Sequence, residues 1–525
     1  MATYTTTIKG TQKLYGFYGN GNGAVYTVTA TNGTGVMKKF DVIRRPIRGG
    51  IPNTVGTAGS GQTVTYTENA RFDFELEVWA DVTTVGTFTA TITDTSNGDT
   101  ISMATYALDS TGNPLGLVSP KDGSVISVGK SNRLTRRSTI GTRIFGGRMG
   151  TYDNTTQKTF QITLGLAQKF DAVRVIFANS TTSSVGVGVC KVSVPPLASD
   201  INNNGGTWNT VTFGGAGTGT IPAAASAARR AFLVSDWAPA QYIERADGTV
   251  PLVTIRAYIS TSGTIGVVGN GTDDLTNWAT RPNGKIVAMR LQAGDQVTTL
   301  SGFSSTTNVS QCPIVGVQYS ARGEVITVMG VGDSITEGRG TYLGEGFGVP
   351  AGESLSSMSG TAFEWCNLGW SGQSSNQFRD NMIDIASSGI YPDIMVMPCG
   401  SPNDDAGTIT ASIVTAQRSY IAQMLGYQRA MQVPIILWTQ LPTNPSVKAY
   451  GATDALRVAH NTEVLTWANK GIDVLDFSTA LSGITDGTGQ VNMLAGSTTD
   501  NIHPNDAGNA ILSPILAAKL REYIG

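Results

Sequence analysis

Two segments far apart in the chain carry residue types that together can hydrolyse an ester. Ser334 directly follows an apolar stretch, in the run Val331–Gly338, and His503 lies in the run Asp500–Pro504. The chain has only 2 histidines. A serine nucleophile needs a base near neutral pH, and histidine is the side chain whose ordinary pKa lies there. The base is therefore His503 or His460.

The remaining parts of such a site can be assigned to nearby residues. Serine hydrolysis needs a nucleophile, a base, a group that orients the base, and donors for the developing oxyanion. Ser334 is the candidate nucleophile, at a predicted helix start that favours negative charge. His503 would accept its proton, and Asp500, three residues earlier, would hold the other ring nitrogen. The candidate oxyanion donors are the backbone N–H groups of Ser334 and Gly372 and the side-chain amide of Asn403.

Three further side chains have both a structural and a functional interpretation. His460 lies inside a helical pattern from 454 to 470, with Arg457 three residues before it, and we interpret it as structural. Trp370 and Trp438 lie near the ends of predicted strands. Each could form the wall of an acyl or sugar pocket, or could pack in the core.

The elements that must position these residues are predicted from Glu324 onward, where apolar strands alternate with helical patterns. The predicted strands cover 325–331, 363–368, 394–398, 435–438 and 474–477. Such alternation implies a parallel sheet covered by helices on both sides. Ligands bind at the carboxyl ends of parallel strands. Ser334, Gly372 and Asn403 follow the first three strands, so we expect them at one common mouth.

Four sequence blocks of this part resemble those of the SGNH (GDSL-type) hydrolase family. In chain order they are Gly332-Asp333-Ser334, the glycine that ends 367–372, Asn403-Asp404, and Asp500-x-x-His503. The resemblance covers about 323–525 and implies a flavodoxin-like α/β/α sandwich. It also implies a triad and a set of oxyanion donors at the residues already singled out, which are Ser334, His503 and Asp500 for the triad and Ser334, Gly372 and Asn403 for the donors.

The sequence departs from the SGNH pattern in the Asn403-Asp404 block, and it lacks the motif of a different class, the α/β-hydrolases. The family usually has Gly-x-Asn-Asp, whereas Ser401 and Pro402 separate Gly400 from Asn403 here. The departure concerns the pose of the Asn403 amide. A G-x-S-x-G nucleophile elbow is absent, which argues against an α/β-hydrolase with the same triad.

The first 322 residues predict short strands in a glycine-rich setting. The chain has 64 glycines and 14% charged residues, and apolar residues alternate at Phe72, Phe74, Leu76 and Val78. We predict a multidomain chain with all-β modules of sandwich or jelly-roll type at 1–135 and 136–322, before a catalytic domain at 323–525. The first boundary lies in a basic stretch that we interpret as solvated loop or linker, formed by Lys130, Arg133, Arg136, Arg137, Arg143 and Arg148.

Composition argues against several classes of partner and cofactor. The net charge of −2 gives no footprint for nucleic acid. The 4 cysteines lie far apart with no C-x-x-C pair, so we expect free thiols and no zinc site. The proposed chemistry requires no cofactor or metal. No apolar run approaches the length of a membrane span, and no leading signal segment follows Met1, so we expect no membrane insertion.

Together these features predict a serine esterase that removes short acyl groups, most of all acetyl, from a carbohydrate through an acyl-Ser334 intermediate. One alternative is a general short-chain carboxylesterase or lipase, and another is a receptor-binding protein with an inert hydrolase domain. A hydrolase behind Gly/Thr-rich β modules is similar to phage tail esterases and to modular polysaccharide deacetylases. That similarity implies that the protein acts on a virion or elsewhere outside a cell; otherwise we expect it in the cytoplasm. The expected partner is an acylated polysaccharide or a small ester. We expect a homotrimer if the protein belongs to a phage tail.

Overall fold

A computed structural model of the chain gives the fold. The residues it describes are 10–19, 24–32, 36–46, 53–68, 74–84, 88–94, 99–101, 105–108, 114–118, 125–126, 138–145, 148–195, 206–243, 251–269, 286–298, 307–308, 311–341, 346–359, 361–405, 408–430, 433–443, 454–470, 472–485 and 489–524. The predicted boundary near 136 and Phe72 lie outside these ranges.

The N-terminal strands form two antiparallel sheets of four strands and one of three. Their bounds are β1 (Gly10–Gly19), β2 (Ala24–Asn32), β3 (Val36–Pro46), β4 (Asn53–Ala58), β5 (Thr63–Glu68), β6 (Phe74–Thr84), β7 (Phe88–Asp94), β8 (Asp99–Ile101), β9 (Thr105–Leu108), β10 (Pro114–Val118) and β11 (Val125–Ile126). The sheet orders are β1-β6-β3-β4, β5-β2-β7-β8 and β11-β10-β9. Tyr26 and Val28 of β2 and Leu76 and Val78 of β6 are buried, because alternate residues of a strand share one face. This region is rich in strands, and a jelly roll remains a prediction for it.

The middle strands continue the antiparallel arrangement. Their bounds are β12 (Ser138–Ile144), β13 (Arg148–Asp153), β14 (Lys158–Gly165), β15 (Phe170–Asn179), β16 (Val185–Ser193), β17 (Asn209–Thr210), β18 (Gly219–Ile221), β19 (Ala231–Val234), β20 (Ala238–Pro239), β21 (Leu252–Ile259), β22 (Thr264–Gly269), β23 (Ile286–Ala293), β24 (Thr307–Asn308) and β25 (Gln311–Cys312). One sheet has the order β17-β16-β21-β14-β23-β24, with β18 beside β16, and a second has the order β13-β22-β25. The apolar faces of β15 and β21 are fully buried, at Val173, Val175, Phe177, Val253, Ile255, Ala257 and Ile259.

A single strand of 19 residues, β26 (Ile314–Gly332), joins the middle strands to the C-terminal part. Its first half pairs antiparallel with β12 and β15. Its second half pairs in parallel with the next two strands of the chain, β27 (Ala362–Gly369) and β28 (Ile394–Pro398). The boundary predicted between 322 and 323 therefore falls inside a continuous strand, and the two regions share one sheet.

The C-terminal part is a parallel sheet between two layers of helices. Its remaining elements are β29 (Ile435–Trp438), β30 (Asp473–Leu475), the antiparallel pair β31 (Ser482–Thr485) and β32 (Val491–Met493), helices α1 (Ser334–Glu337), α2 (Gly348–Ser359), α3 (Ser375–Ser387), α4 (Ala411–Ala430), α5 (Ala455–Thr466), α6 (Phe477–Ala480) and α7 (Asp506–Ile524), and 3₁₀ turns at Pro402–Asp404 and Trp467–Lys470. The parallel strands follow the order β27-β26-β28-β29-β30. This is the flavodoxin-like order, with its switch point beside β26.

Both faces of the parallel sheet are buried, and each belongs to a different core. Val328 faces one apolar cluster together with Leu355 of α2 and Leu516 of α7. Met329, the next residue, faces a second cluster with Phe378 of α3. The second cluster also contains the buried side chains of the middle strands, so the middle strands and the parallel sheet share one continuous core.

The interpretation of the basic stretch as a solvated loop or linker is wrong at Arg143. Its side chain is buried on β12, and Nη1 donates to Glu364 Oε1 at 3.1 Å and to the Trp365 carbonyl at 3.2 Å. Tyr319 Oη donates to the other carboxylate oxygen of Glu364 at 2.8 Å. The burial of a charged pair in this way requires such partners, and neither was visible from a run of basic residues. Arg143 thus joins the middle strands to β27.

Two further expectations concern the cysteines and the helices. All four cysteines are free thiols in buried positions. Among the helices that the structure describes, none combines the length and the apolar character needed to cross a membrane.

Candidate active site

Ser334 lies at the turn between β26 and α1, at the carboxyl edge of the sheet. The side chain of Asp333 caps α1 by accepting a hydrogen bond from the Ile335 N–H at 3.0 Å. Gly332 permits the sharp turn, because a Cβ there would lie 2.1 Å from Thr336 Oγ1. Ser334 is 5% exposed, so only a small part of it is open to solvent.

The structure brings Ser334, His503 and Asp500 together in one hydrogen-bonded chain. His503 Nε2 lies 2.7 Å from Ser334 Oγ, across 169 positions of sequence. His503 Nδ1 lies 2.6 Å from Asp500 Oδ2. These are the distances at which a base can accept the serine proton while a carboxylate fixes its tautomer.

The loop before α7 holds Asp500 ready to accept a hydrogen bond from the histidine ring. Its second oxygen, Oδ1, accepts from the backbone N–H groups of His503 at 2.8 Å and Ile502 at 3.1 Å. Partial burial raises the pKa of Asp500, but these hydrogen bonds and His503 lower it more, so the net pKa lies below its usual value. The carboxylate is therefore ionised at neutral pH and orients the histidine ring.

Two of the predicted oxyanion donors present unused N–H groups. Within the described part of the chain, the backbone N–H groups of Ser334 and Gly372 donate to no protein acceptor. Gly372 has a φ of 83° in the loop after β27. That loop is fixed by the Trp370 N–H, which donates to the Gly332 carbonyl at 3.0 Å, and by the Ser371 N–H, which donates to Glu337 Oε2 at 2.7 Å. Free N–H groups beside a nucleophile are suited to an oxyanion.

The third predicted donor, Asn403, is engaged within its own loop. Its Nδ2 donates to the Gln373 carbonyl at 3.1 Å and lies 3.2 Å from Ser401 Oγ. Ser401 Oγ in turn lies 2.7 Å from the buried Asp333 carboxylate. The loop has one residue more than Gly-x-Asn-Asp between Gly400 and Asn403. Ser401 connects this loop to the nucleophile turn, and the side chain of Asn403 is held by that connection.

Asp404 anchors this loop to two helices. Its carboxylate accepts hydrogen bonds from Ser375 N at 2.6 Å, at the start of α3, and from Gln417 Nε2 at 2.6 Å, on α4. It also accepts one from Ser401 N at 3.1 Å. In the sequence, the only signal for this role of Asp404 is its pairing with Asn403.

The two tryptophans lie in different environments. Trp438 is 1% exposed in the core, where its ring packs against Phe347 and Phe477 with centroids 6.0 and 5.8 Å apart. A ring so enclosed has no face with which to touch a substrate, and packing is the interpretation that the structure supports. Trp370 is also buried, directly before the loop that carries Gly372, and the Arg230 guanidinium lies over its ring.

His460 is buried within α5 and lies apart from the triad's hydrogen-bonded chain. Arg418 Nε donates to its Nδ1 at 3.0 Å, and its Nε2 lies 2.9 Å from the Cys399 carbonyl. Burial lowers its pKa to about 4. A histidine that is already hydrogen-bonded at both nitrogens supports the fold beneath the Ser401–Asp404 loop.

Fold and site together define a hydrolase class: a flavodoxin-like sheet with a hydrogen-bonded serine, histidine and aspartate at its carboxyl edge. Residues 331–511 match the model of the GDSL-like lipase/acylhydrolase family. The C-terminal part of the chain is accordingly a carboxylic ester hydrolase domain of the GDSL-like type. The family match confirms the family resemblance of the four sequence blocks.

The chain also matches solved structures over 37% to 38% of its length. A GDSL-like lipase from Bacteroides thetaiotaomicron is 22% identical, with 37% of this chain and 88% of that chain covered and a TM-score of 0.28. The acetyl xylan esterase AlAXEase is 18% identical, with 37% and 98% covered and a TM-score of 0.30. A family 3 carbohydrate esterase from Clostridium thermocellum is 16% identical, with 38% and 100% covered and a TM-score of 0.28. No curated protein matches the chain in sequence.

Proposed function

We propose that the domain hydrolyses short acyl esters, most of all O-acetyl groups on a carbohydrate, through an acyl-enzyme at Ser334. The observation that carries this proposal is the continuous hydrogen-bonded chain from Ser334 through His503 to Asp500. Such a chain can make the serine hydroxyl nucleophilic near neutral pH without any further group.

The reaction follows from that geometry in two halves. Ser334 Oγ attacks the ester carbonyl carbon while His503 Nε2 takes the hydroxyl proton, and the N–H groups of Ser334 and Gly372 receive the oxyanion. The carbon–oxygen bond to the sugar then breaks, and His503 returns the proton to the departing alcohol. In the second half, His503 deprotonates a water that attacks the acyl-serine, which releases the carboxylic acid and restores Ser334.

The surroundings of the triad support a small acyl group on a polar alcohol. Ser334 and His503 are almost fully buried, so little of their surface is open to solvent. Exposed polar residues lie close to both in the chain, at Arg339 after Ser334 and at Asn501 before His503. Polar side chains at a rim can hydrogen-bond sugar hydroxyls, whereas a long lipid chain needs extended apolar surface.

Release of acetate from O-acetylated polysaccharides tests this proposal. Wild type is expected to release acetate, and Ser334→Ala is expected to lose about 10⁴–10⁶ in kcat. Ser513→Ala is the matched control, since this buried serine on α7 only donates to the Asn509 carbonyl within its own helix. Glycan processing that survives in Ser334→Ala would instead point to a binding protein with an inert hydrolase domain.

One observation favours a second candidate, a general short-chain carboxylesterase or lipase. The β31–β32 pair leads into the loop that carries Asp500 and His503, and Ile484 on it is 87% exposed. An exposed apolar side chain there could contact an acyl chain. Rates on p-nitrophenyl acetate, butyrate and octanoate separate the two candidates: the carbohydrate esterase prefers acetate, and the lipase prefers the longer chains.

For the whole chain we propose a setting outside the host cell, such as a phage tail, in which the strand-rich N-terminal region carries the esterase to a glycan surface. The support is the order of the regions, with extended antiparallel sheets preceding a single catalytic sheet. Light scattering of the full chain tests the associated oligomeric state. A trimer is expected for a tail protein, and a monomer would contradict that setting.

A further inference from the structure

The connection between β18 and β19 in the middle region reaches the catalytic sheet through two adjacent arginines. Arg229 Nε donates to Asp384 Oδ2 on α3 at 2.8 Å, and Arg229 Nη1 lies 3.7 Å from Asp380 Oδ2. Arg229 therefore fastens the connection to the outside of α3. Arg230 extends further inward and is 4% exposed.

Arg230 contacts the loop that carries a proposed oxyanion donor. Its guanidinium carbon lies 4.6 Å from the centre of the Trp370 ring, within the range of a cation–π contact. Its Nη2 lies 3.5 Å from the Gly369 carbonyl. Trp370 and Gly369 directly precede Ser371 and Gly372, so Arg230 supports the loop 369–372 from beneath.

A buried carboxylate connects the same arginine to the nucleophile helix. Glu337, the last residue of α1, is buried, and its carboxylate accepts the Ser371 N–H at 2.7 Å. Burial lowers the pKa of Arg230 to about 10, and the charges of Glu337 and Asp384 act in the opposite direction. Arg230 therefore stays protonated at neutral pH and balances the negative charge of Glu337.

We propose that Arg230 is a positioning residue for the esterase reaction: from the middle region, it holds the loop 369–372 so that the Gly372 N–H meets the oxyanion. This inference rests on the proposed function of Ser334. It makes the middle region part of the catalytic unit, because the residue that holds the donor loop comes from a different part of the chain.

The chemistry of arginine suits this role better than that of lysine. A planar guanidinium can stack on an indole ring and bond a carboxylate and a carbonyl at once, whereas an ammonium is a point charge. A displaced N–H donor weakens the transition state more than the bound substrate, because the full negative charge exists only in the transition state. Loss of Arg230 should therefore lower kcat and leave KM nearly unchanged.

Kinetics of the full chain on p-nitrophenyl acetate, with thermal unfolding alongside, test the proposal. Arg230→Met is expected to lower kcat by about 10²-fold, as for one lost oxyanion donor, with KM within about twofold. Arg230→Lys should restore part of that loss because it keeps the charge. The matched control is Arg229→Met, which removes the neighbouring ion pair with Asp384 and is expected to lower Tm while kcat stays at the wild-type value.

A double variant keeps the test decisive if Arg230→Met does not fold. Arg230→Met/Glu337→Gln removes both buried charges and leaves an amide oxygen to accept the Ser371 N–H, so the folded protein should still show the lowered kcat. Wild-type kcat in folded Arg230→Lys and in the double variant would overturn the proposal. An equal fall of kcat in Arg229→Met would do the same, because it would show a general loss of stability.

A labelling experiment separates failure of this inference from failure of the proposed function. A fluorophosphonate reacts with an activated serine, which displaces fluoride and leaves a tetrahedral adduct that places an oxygen at the oxyanion position. Wild type should be labelled at Ser334, and Arg230→Lys more slowly. No labelling and no hydrolysis by wild type would remove the proposed function, and the role of Arg230 with it. Equal labelling and equal turnover of both proteins would remove the role of Arg230 alone.

Discussion

The surroundings of the two histidines are opposite in character, although both lie in the catalytic part of the chain. His503 has a carboxylate, Asp500, at Nδ1 and a hydroxyl, Ser334, at Nε2. His460 has a guanidinium, Arg418, at Nδ1. A carboxylate stabilises the positive imidazolium that forms during proton transfer, and a cation opposes it.

The tautomers differ for the same reason. Arg418 can only donate, so Nδ1 of His460 must accept, and its Nε2–H donates to the Cys399 carbonyl. In His503 the carboxylate of Asp500 requires a proton on Nδ1, which leaves the Nε2 lone pair directed at Ser334. The comparison shows that the partners of a histidine decide which ring nitrogen is free to accept a proton, whereas burial disfavours its charged form.

Removing each imidazole is the strongest way to break this comparison. His503→Ala is expected to lower kcat by about 10⁴–10⁶-fold, because the serine loses its base. The unfolding temperature should fall only slightly, since the imidazole, although buried, is hydrogen-bonded to the Ser334 hydroxyl and the partly exposed Asp500 carboxylate, and water can solvate both in its absence. Steady-state hydrolysis of p-nitrophenyl acetate beside a thermal melt measures both quantities. If His503→Ala retained more than a tenth of the wild-type kcat, His503 would not be the base, and its contrast with His460 would not hold.

Asp500→Asn asks whether the carboxylate is what sets His503 apart. An amide can present its N–H to Nδ1 and stabilise the wrong tautomer, so kcat should fall by about 10³–10⁴-fold. Asp506→Asn, on the first turn of α7, is the matched control for removal of a nearby negative charge. The kcat values of the two variants at one pH decide the matter, and similar values would assign the effect to charge in general.

His460→Phe should show the reverse pattern, with stability lost and catalysis retained. The phenyl ring fills the space but leaves the Cys399 carbonyl and the Arg418 N–H without their imidazole partner, at a cost of about 1–3 kcal/mol for each buried group. The free energy of unfolding in urea and the kcat of the folded protein are the two measurements. A loss in kcat beyond about tenfold at unchanged stability would place His460 in the reaction after all.

The sequence was sufficient to predict that Ser334, His503 and Asp500 lie together at one edge of the sheet, because each of its signals is local. Ser334 follows an apolar strand and His503 precedes a helix, and the predicted parallel strands agree with the observed ones to within two residues except at the start of β26. That strand begins at Ile314 and continues through the exposed residues Arg322 and Glu324, where the sequence predicted a boundary between domains. Exposure at one point of a long strand cannot be distinguished from a turn by pattern alone.

The contacts that hold the site could not be predicted in the same way. Arg230 and Arg143 act on residues more than a hundred positions away, and nothing in their local sequence indicates a buried partner. The extra residue between Gly400 and Asn403 was visible as a departure from Gly-x-Asn-Asp. Its consequence, a hydrogen bond from Ser401 to Asp333, depends on two loops that meet only in the folded sheet.

The smallest expected effect is the pH dependence of stability, which tests the surroundings of His460. Burial lowers the pKa of His460 to about 4, below the value of about 6.5 expected in the unfolded chain. Its contribution to stability is therefore complete above pH 6.5 and is lost as the pH falls toward 4. One unit of pKa shift corresponds to about 1.4 kcal/mol, so the whole loss over about 2.5 units is at most about 3.5 kcal/mol.

Asp393 acts in the opposite direction over the same range of pH. Burial raises its pKa to about 7, although the Thr327 N–H donates to its carboxylate at 2.8 Å. The contribution of Asp393 to the free energy of unfolding is complete below pH 3.8, the ordinary pKa of an aspartate, and is lost as the pH rises to about 7. Unfolding free energies of wild type between pH 4 and 7 should thus vary little, because the two slopes offset each other. In Asp393→Asn, the free energy of unfolding should fall by the full contribution of His460 as the pH decreases from 7 to 4. In His460→Gln, it should instead fall as the pH increases over the same range. If the two variants showed parallel curves of unfolding free energy against pH, neither buried group would titrate as its surroundings require.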